Sequence, residues 1–342
     1  MEDSVEFSKP LHLATVDLTK AFDSTERWSL QQSYRLANLS PATCAFLGAA
    51  DGRGSASVLT PFGPSPTFKV ERGVRQGETL SPLKFLLWLE PWLQHVRRKF
   101  PHHGYRLKGG PRVCVLAYAD DIAIVGRTHK EVQDIMSSLC AYLNYHAVTI
   151  SATEDASSKT VYTHNRRDRR SKALTLRVSQ FSRASTPGHA SSRRLNIPVT
   201  PPSENIKYLG GSFNLNLDWS KAKKDLLRSL NFHMTTLSSR KISLPEASLL
   251  ATTVVQGKAN YYLQLAPFTV GELDKIDKSL DKMLRRRAGW PRGTSLEWLH
   301  APRSRGGLGI FTFKDLLTSA QTTELLVRLA SPGLVGQVAK AR

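Results

Sequence analysis

Val113-Cys114-Val115-Leu116-Ala117-Tyr118-Ala119-Asp120-Asp121-Ile122-Ala123-Ile124-Val125 is an apolar run, two adjacent carboxylates and a second apolar run. Val and Ile are frequent on both flanks, which favours strands over helix. The simplest geometry is a hairpin of two buried strands with Asp120 and Asp121 at its tip. Two neighbouring like charges between hydrophobic strands are costly unless something compensates them. A hard cation on oxygen ligands, Mg²⁺ above all, would do so. A plain surface turn is equally compatible with this stretch alone, because Asp is a common turn residue.

Working outward, composition narrows the choice. The chain has 342 residues, enough for a large core and two or three subdomains. Its 48 Lys and Arg against 28 Asp and Glu give a net charge of +20, which attracts polyanions, nucleic acid first. An acidic membrane surface is the weaker alternative, since no basic amphipathic anchor stands out and no apolar run approaches the ~20 residues of a membrane span. No signal-peptide pattern opens the chain. The three cysteines, Cys44, Cys114 and Cys140, lack metal-ligand spacing and point to core packing in a reducing compartment.

Upstream of the hairpin, Leu11–Val16 reads as a strand ending at Asp17. Helical segments follow over Arg27–Ala37 and from Pro41 through Leu47, with a turn at Asp51–Gly54. Ser55–Thr60 and Thr67–Val70 pair as a hairpin across Pro61–Pro66. Gly73 to Pro82 is a loop opening a helix that runs to Lys99. Ser81 is its expected N-cap, and Leu83, Leu86, Leu87, Leu89 and Trp92 are its apolar residues. Downstream, Lys130–Tyr145 has helical apolar spacing. Ala147–Ile150 and Thr160–Thr163 read as short strands with Lys159 between them. Residues 165–194 are Arg- and Ser-rich and read as a solvated, flexible insertion. Ile206–Phe213 is strand–turn–strand. Helices then span Asp218 onward, Leu244–Leu265, Val270–Arg287 and, last, Phe313–Ala330.

A two-metal phosphoryl-transfer centre needs carboxylates from separate strands converging on two ions about 3.5–4 Å apart. Asp17 at a strand end and Asp120-Asp121 at a hairpin tip supply that set. Here a family resemblance becomes specific. Asp17-Leu18-Thr19-Lys20-Ala21-Phe22-Asp23, Arg75-Gln76-Gly77-Glu78-Thr79-Leu80-Ser81-Pro82 and Tyr118-Ala119-Asp120-Asp121 resemble motifs A, B and C of reverse transcriptases, in order and spacing. The Phe22-Asp23 ending and the Arg75-Gln76-Gly77 form are most similar to non-LTR, LINE-type retrotransposons. Tyr208-Leu209-Gly210-Gly211 resembles motif E, the primer grip. Gly306-Gly307-Leu308-Gly309 resembles a recurrent piece after the thumb.

The resemblance implies an α+β fold: a polymerase palm with a mostly antiparallel sheet packed on helices, then a helical thumb and a helical connector. It divides the chain into a truncated fingers remnant (1–10), a palm with part of the fingers (11–165), the basic insertion (166–204), a primer-grip hairpin (205–214), a thumb (215–267) and a connector (268–342). It implies an RNA-directed DNA polymerase that uses two Mg²⁺ ions, or Mn²⁺ in their place. RNA template, DNA primer or target and dNTP are the implied partners, no membrane is involved, and nuclear work follows from such an element's life cycle. Asp17, Asp120 and Asp121 would be the catalytic carboxylates and metal ligands. Phe22, Gln76, Gly77 and Lys159 would contact the nucleotide, Phe22 excluding a 2′-hydroxyl by clash. Tyr118, Tyr208, Leu209, Gly210, Lys221 and Lys224 would contact primer and template. Lys223, Arg228 and Arg285–Arg287 are further phosphate contacts suggested by charge. Fingers ahead of motif A are missing from this stretch. That keeps two alternatives in view, a non-catalytic nucleic-acid-binding remnant and a group II intron maturase-like polymerase.

Overall fold

A computed structural model describes residues 1–52, 54–75, 77–155, 157–166, 172–180, 191–291 and 293–340. The chain divides into two compact units, residues 1–107 with 112–204, and residues 108–111 with 205–342. In the first unit, α1 (Glu2–Glu6) leads into strand β1 (His12–Val16) and helices α2 (Ala21–Ser24), α3 (Arg27–Leu36) and α4 (Pro41–Gly52). Short strands β2 (Ser55–Ala56), β3 (Leu59–Thr60), β4 (Gly63–Pro64) and β5 (Phe68–Lys69) precede α5 (Ser81–Lys99). Then come β6 (Tyr105–Arg106), β7 (Arg112–Val113), β8 (Val115–Tyr118), β9 (Asp121–Gly126), α6 (His129–Tyr145), β10 (Val161–His164), β11 (Leu174–Gln180), β12 (Ser191–Ile197) and β13 (Val199–Thr200).

The central sheet has the order β13-β10-β1-β9-β8, antiparallel except for the β10–β13 pair. β1 lies in its middle, so all five of its residues are buried. β9 beside it buries Ile122, Ala123 and Ile124. β8 is the edge strand. It is not the second buried strand expected from its apolar run: Leu116 is 45% exposed and Tyr118 71% exposed, alternating with half-buried Val115 and Ala117. An edge strand has no neighbour on one side, and its pleat turns alternate residues away from the core.

Two helices cover the sheet. α6 buries Val132, Ile135, Met136, Leu139 and Leu143, and the side chain of Thr128 caps it by accepting from the Glu131 amide. α5 buries Phe85, Trp88, Leu89, Trp92 and Val96, while Leu83 and Leu86 remain exposed. Its buried stripe is therefore turned from the Leu-based one expected, because the aromatics fill the larger core volume. Ser81 is the first residue of α5 rather than its cap, which is Leu80. The Ser81 hydroxyl instead donates back to the Arg75 carbonyl.

Three further expectations are corrected. α4 runs through Asp51 and Gly52, where a turn was expected, because the Asp51 carboxylate is held in the interior (below). Residues 147–150 make only a single bridge, Leu18 to Ile150, instead of a strand. The insertion is not solvated throughout. β11 and β12 pair over seven residues, and Leu174, Leu176, Val178, Leu195 and Ile197 are buried in the same core as α5 and α6. The Gln133 side chain on α6 brackets Thr175, donating to its carbonyl at 2.7 Å and accepting from its amide at 2.8 Å. Residues 167–171 and 181–190 of the insertion lie outside the described residues.

The second unit opens with the hairpin β14 (Ile206–Tyr208) and β15 (Gly211–Phe213). It continues with helices α7 (Ser220–Ser239), α8 (Leu244–Leu250), a π-helical segment (Ala251–Gln256), α9 (Gly257–Leu265), α10 (Val270–Ala288), α11 (Glu297–His300), α12 (Phe313–Ala330) and α13 (Gly333–Lys340). The expected Leu244–Leu265 helix is thus interrupted by a widened turn, and α12 is followed by one more helix. Leu226, Leu230, Val255, Leu263, Leu273, Leu280 and Phe313 centre this unit's core. Capping boxes at Ser243/Glu246 and Thr269/Glu272 fix the starts of α8 and α10, and Gly289 at φ 65° ends α10. Among the described residues no helix is long and apolar enough to cross a membrane.

Candidate active site

The β1–β9 ladder ends at the pair Val16–Ile122. One step further along the same antiparallel register sets Asp17 opposite Asp121. In the β8–β9 hairpin Tyr118 pairs with Asp121, so Ala119 and Asp120 alone form the turn, with Ala119 at φ 52°. The sheet thus sets Asp17 beside the Asp120-Asp121 pair from a distant part of the chain. Asp17 is held through its backbone: its carbonyl accepts from the Ser151 amide at 2.8 Å, and its amide donates to the Thr160 hydroxyl at 3.2 Å. Those contacts bring Lys159 in, with Nζ 3.8 Å from Asp17 Oδ2. Lys159, expected to contact the nucleotide, thus stands beside Asp17.

Burial raises the Asp121 pKa above the ordinary carboxylate value, and the charges of Asp120 and Asp17 add to it. One exposed ammonium offsets this cluster only partly, and hard oxygen donors short of positive charge suit a divalent cation. Among the described residues, however, no group of three or more Asp, Glu, His or Cys side chains is gathered closely enough to hold a metal ion by itself. A divalent cation bound here would take part of its shell from outside these carboxylates.

Beyond Asp17 the chain turns through Lys20, at φ 47°, into α2. Phe22 is half-buried there, its ring 4.9 Å from that of Phe85. The Phe22 carbonyl accepts from the Val74 amide at 2.7 Å, and the Thr25 carbonyl accepts from the Gly73 amide at 2.8 Å. Gly73 has φ 93°, and a Cβ there would sit 2.9 Å from the Asp23 carbonyl oxygen, so this close approach requires glycine. The loop carrying Arg75 and Gly77 is thereby tied to the segment carrying Asp17 and Phe22. Gly77 is exposed at φ 83° with open space where a Cβ would lie. Gln76 lies outside the described residues.

Residues 4–213 match the reverse transcriptase (RNA-dependent DNA polymerase) family. The chain belongs to this family. It is 23% identical over 299 residues to the Pol polyprotein of the type-2 retrotransposable element R2DM of Drosophila melanogaster, covering 87% of this chain and 26% of that protein. It is 22% identical over 317 residues to the Pol polyprotein of the type-1 retrotransposable element R2 of Nasonia vitripennis, covering 90% and 28%. The chain thus spans about a quarter of the length of these two curated relatives. Among solved structures, apo telomerase from Candida tropicalis aligns over 99% of this chain and 54% of that one, at 12% identity and a TM-score of 0.45. The retrotransposon relatives bear out the non-LTR lineage that the three motifs imply.

Tyr118 beside the acidic turn is 71% exposed. In the second unit, the Tyr208–Gly211 turn carries Leu209 at φ 49° and Gly210 at φ 76°, the left-handed pair of a tight hairpin. Two residues that sequence reasoning missed hold it: the Tyr261 hydroxyl donates to the Leu209 carbonyl, and the Tyr262 hydroxyl to the Gly210 carbonyl at 3.4 Å. Their adjacency in an apolar helix gave no signal. Lys221 and Lys224 are exposed on α7. Lys223 is committed elsewhere, 2.9 Å from Glu272 and over the Phe268 ring, and Arg287 donates to the carbonyls of Leu237 and Ser238. Both fasten α7 to its neighbours, so charge alone overcounted the phosphate contacts. Arg228 lies 3.5 Å from Asp225, one turn away.

Proposed function

We propose that this chain carries the polymerising centre of an RNA-directed DNA polymerase, adding deoxynucleotides to a primer 3′-hydroxyl on an RNA template. The observation that carries this reading is the convergence of Asp17 and Asp121 across one ladder, with Asp120 at the adjoining turn. Asp17 and Asp120 would hold two Mg²⁺ ions, which when bound supply activation of the 3′-hydroxyl and neutralisation of charge on the transferred phosphoryl group. Asp121 keeps the site's potential negative and attracts those cations. Lys159, 3.8 Å from Asp17, would hold a proton for the departing pyrophosphate. Phe22 and the loop carrying Gly77 would contact the nucleotide's sugar and base. Lys221 and Lys224 would track backbone phosphates without reading sequence.

The test is extension of a DNA primer on an RNA template with dNTP and Mg²⁺. Template-dependent product is expected. Salt-sensitive RNA binding without product would instead support a binding-only remnant.

Phe22 gives a second test. Its ring packs against that of Phe85, so a 2′-hydroxyl would meet a supported surface. Phe22→Ala is expected to reduce discrimination against ribonucleotides by at least about tenfold, read from the ratio of kcat/KM values. Unchanged sugar selectivity would refute the gate.

A further inference from the structure

Lys84 is 2% exposed, on a helix whose neighbouring positions are Phe85 and Trp88. A lysine is almost never buried without partners. Its ammonium donates to Asp51 Oδ1 at 2.7 Å and to Glu78 Oε2 at 3.1 Å. The other Asp51 oxygen accepts from the hydroxyl of fully buried Tyr34 at 3.0 Å. One ammonium therefore joins α3 and α4, through Tyr34 and Asp51, to the loop that carries Arg75 and Gly77, through Glu78. Burial alone would lower the Lys84 pKa, but the bonds to Asp51 and Glu78 outweigh it and hold it above the ordinary value, so the group is charged at neutral pH.

The loop has two anchors. At its start, the amides of Gly73 and Val74 donate to the carbonyls of Thr25 and Phe22. At its end, Glu78 is held by Lys84, and the Ser81 hydroxyl donates to the Arg75 carbonyl. Exposed Gly77 between the anchors meets nothing within 4 Å of where its Cβ would be. Gly77 lies between these two ends. The first anchor is backbone and survives any side-chain change. The second adds the Lys84–Glu78 charge pair to the Ser81 bonds, its hydroxyl on the Arg75 carbonyl and its amide on the Glu78 carbonyl at 3.1 Å.

We propose that Lys84 is a positioning residue for the incoming nucleotide: through Glu78 it helps hold the C-terminal end of the loop that carries Arg75 and Gly77. It touches no substrate itself. The inference rests on the polymerase reading for the identity of the ligand, and on the described contacts for the loop's dependence on the pair.

Glu78→Gln is the sharper probe, because it weakens the loop anchor and leaves the Lys84–Asp51 pair inside the core. Lys84→Met is the companion, and it also strands the Asp51 carboxylate. Two readouts on the full chain separate positioning from folding. Amide hydrogen exchange in residues 73–81 is expected to quicken about tenfold in Glu78→Gln while α6 keeps its protection. In primer extension, KM for dNTP is expected to rise about tenfold with kcat within about twofold. Unchanged loop exchange and unchanged KM in Glu78→Gln would overturn this inference alone. So would exchange that quickens throughout the unit with a fall in kcat only, which marks a merely structural role. A wild-type chain that extends nothing would overturn the polymerase reading itself, and the nucleotide role with it, before any variant is compared.

Discussion

Asp120→Ala is expected to reduce primer extension by about a thousandfold or more while leaving the chain folded and bound to RNA. The expectation follows from where Asp120 sits. It occupies the two-residue turn between β8 and β9, outside the ladder pairs, so removing its side chain breaks no sheet contact. Burial raises the neighbouring Asp121, and the Asp120 charge raises it further. Deleting Asp120 therefore relieves repulsion, and the thermal midpoint should hold or rise slightly. Activity and stability are then expected to move apart, which a misfolded variant cannot imitate. The measurement pairs extension rates with a thermal melt and a salt titration of RNA binding. Extension retained within about tenfold of wild type would remove Asp120 from the catalytic set.

The acidic centre was legible in the sequence because its cost was visible: adjacent like charges between apolar strands invite an explanation, and Asp17 at another strand end supplied one. The helices of the second unit were legible for a similar reason. Leu226, Leu230 and Met234 repeat at helical spacing, and Thr269 with Glu272 forms a recognisable start signal. What escaped reading depended on pairing between distant residues. Leu174, Leu176 and Val178 alternate as a strand should, but the Arg- and Ser-rich composition around them masked a hairpin whose burial is decided by α6. β8 looked buried because its residues are apolar, yet among the described residues nothing pairs with its outer side. Lys84 carried no signal of its own in the sequence. Its meaning depends on Asp51, 33 residues earlier, and on a helix that ends later than its glycines suggested. Lys223 and Arg287 show the converse, since basic residues that composition assigns to nucleic acid are used inside the protein. In each case local pattern set the element, and tertiary contact set the role.

Acid should unfold the first unit's core between about pH 6.5 and pH 4, well before its carboxylates explain the loss. Two buried histidines carry the argument. Burial lowers His12 to about 4, with the neighbouring His164, His129 and Arg166 lowering it further and Glu131 opposing them. His146 is lowered to about 4 by burial. His12 is 4% exposed in the central strand, with Nδ1 2.7 Å from the Tyr162 hydroxyl. His146 is packed among the rings of Trp28, Trp88, Tyr142 and Tyr145, with Nδ1 2.6 Å from the Ser29 hydroxyl. Since Ser29 accepts from the Trp88 indole at 2.6 Å, its own proton is available to His146, which suits a neutral imidazole. Protonating Nδ1 would set a donor against a donor. For these bases the unfolded chain binds more protons than the folded one between the two pKa values. Stability therefore falls as pH drops from the unfolded value of 6.5 through the folded value of about 4. Each histidine should cost a few kcal/mol by the lower limit, a large share of a typical stability of about 5–15 kcal/mol. Glu131, lowered by its bonds to the Arg127 and Gly104 amides and the Arg127 side chain against the pull of burial, adds to the loss only below the ordinary carboxylate range. The measurement is a urea midpoint by circular dichroism at pH 7, 6, 5 and 4.5, on wild type and on the pair His12→Gln and His146→Gln. A steep fall in wild type that flattens in the variants is expected. A midpoint unchanged between pH 7 and pH 5 in wild type would show that these rings are not held neutral by the fold.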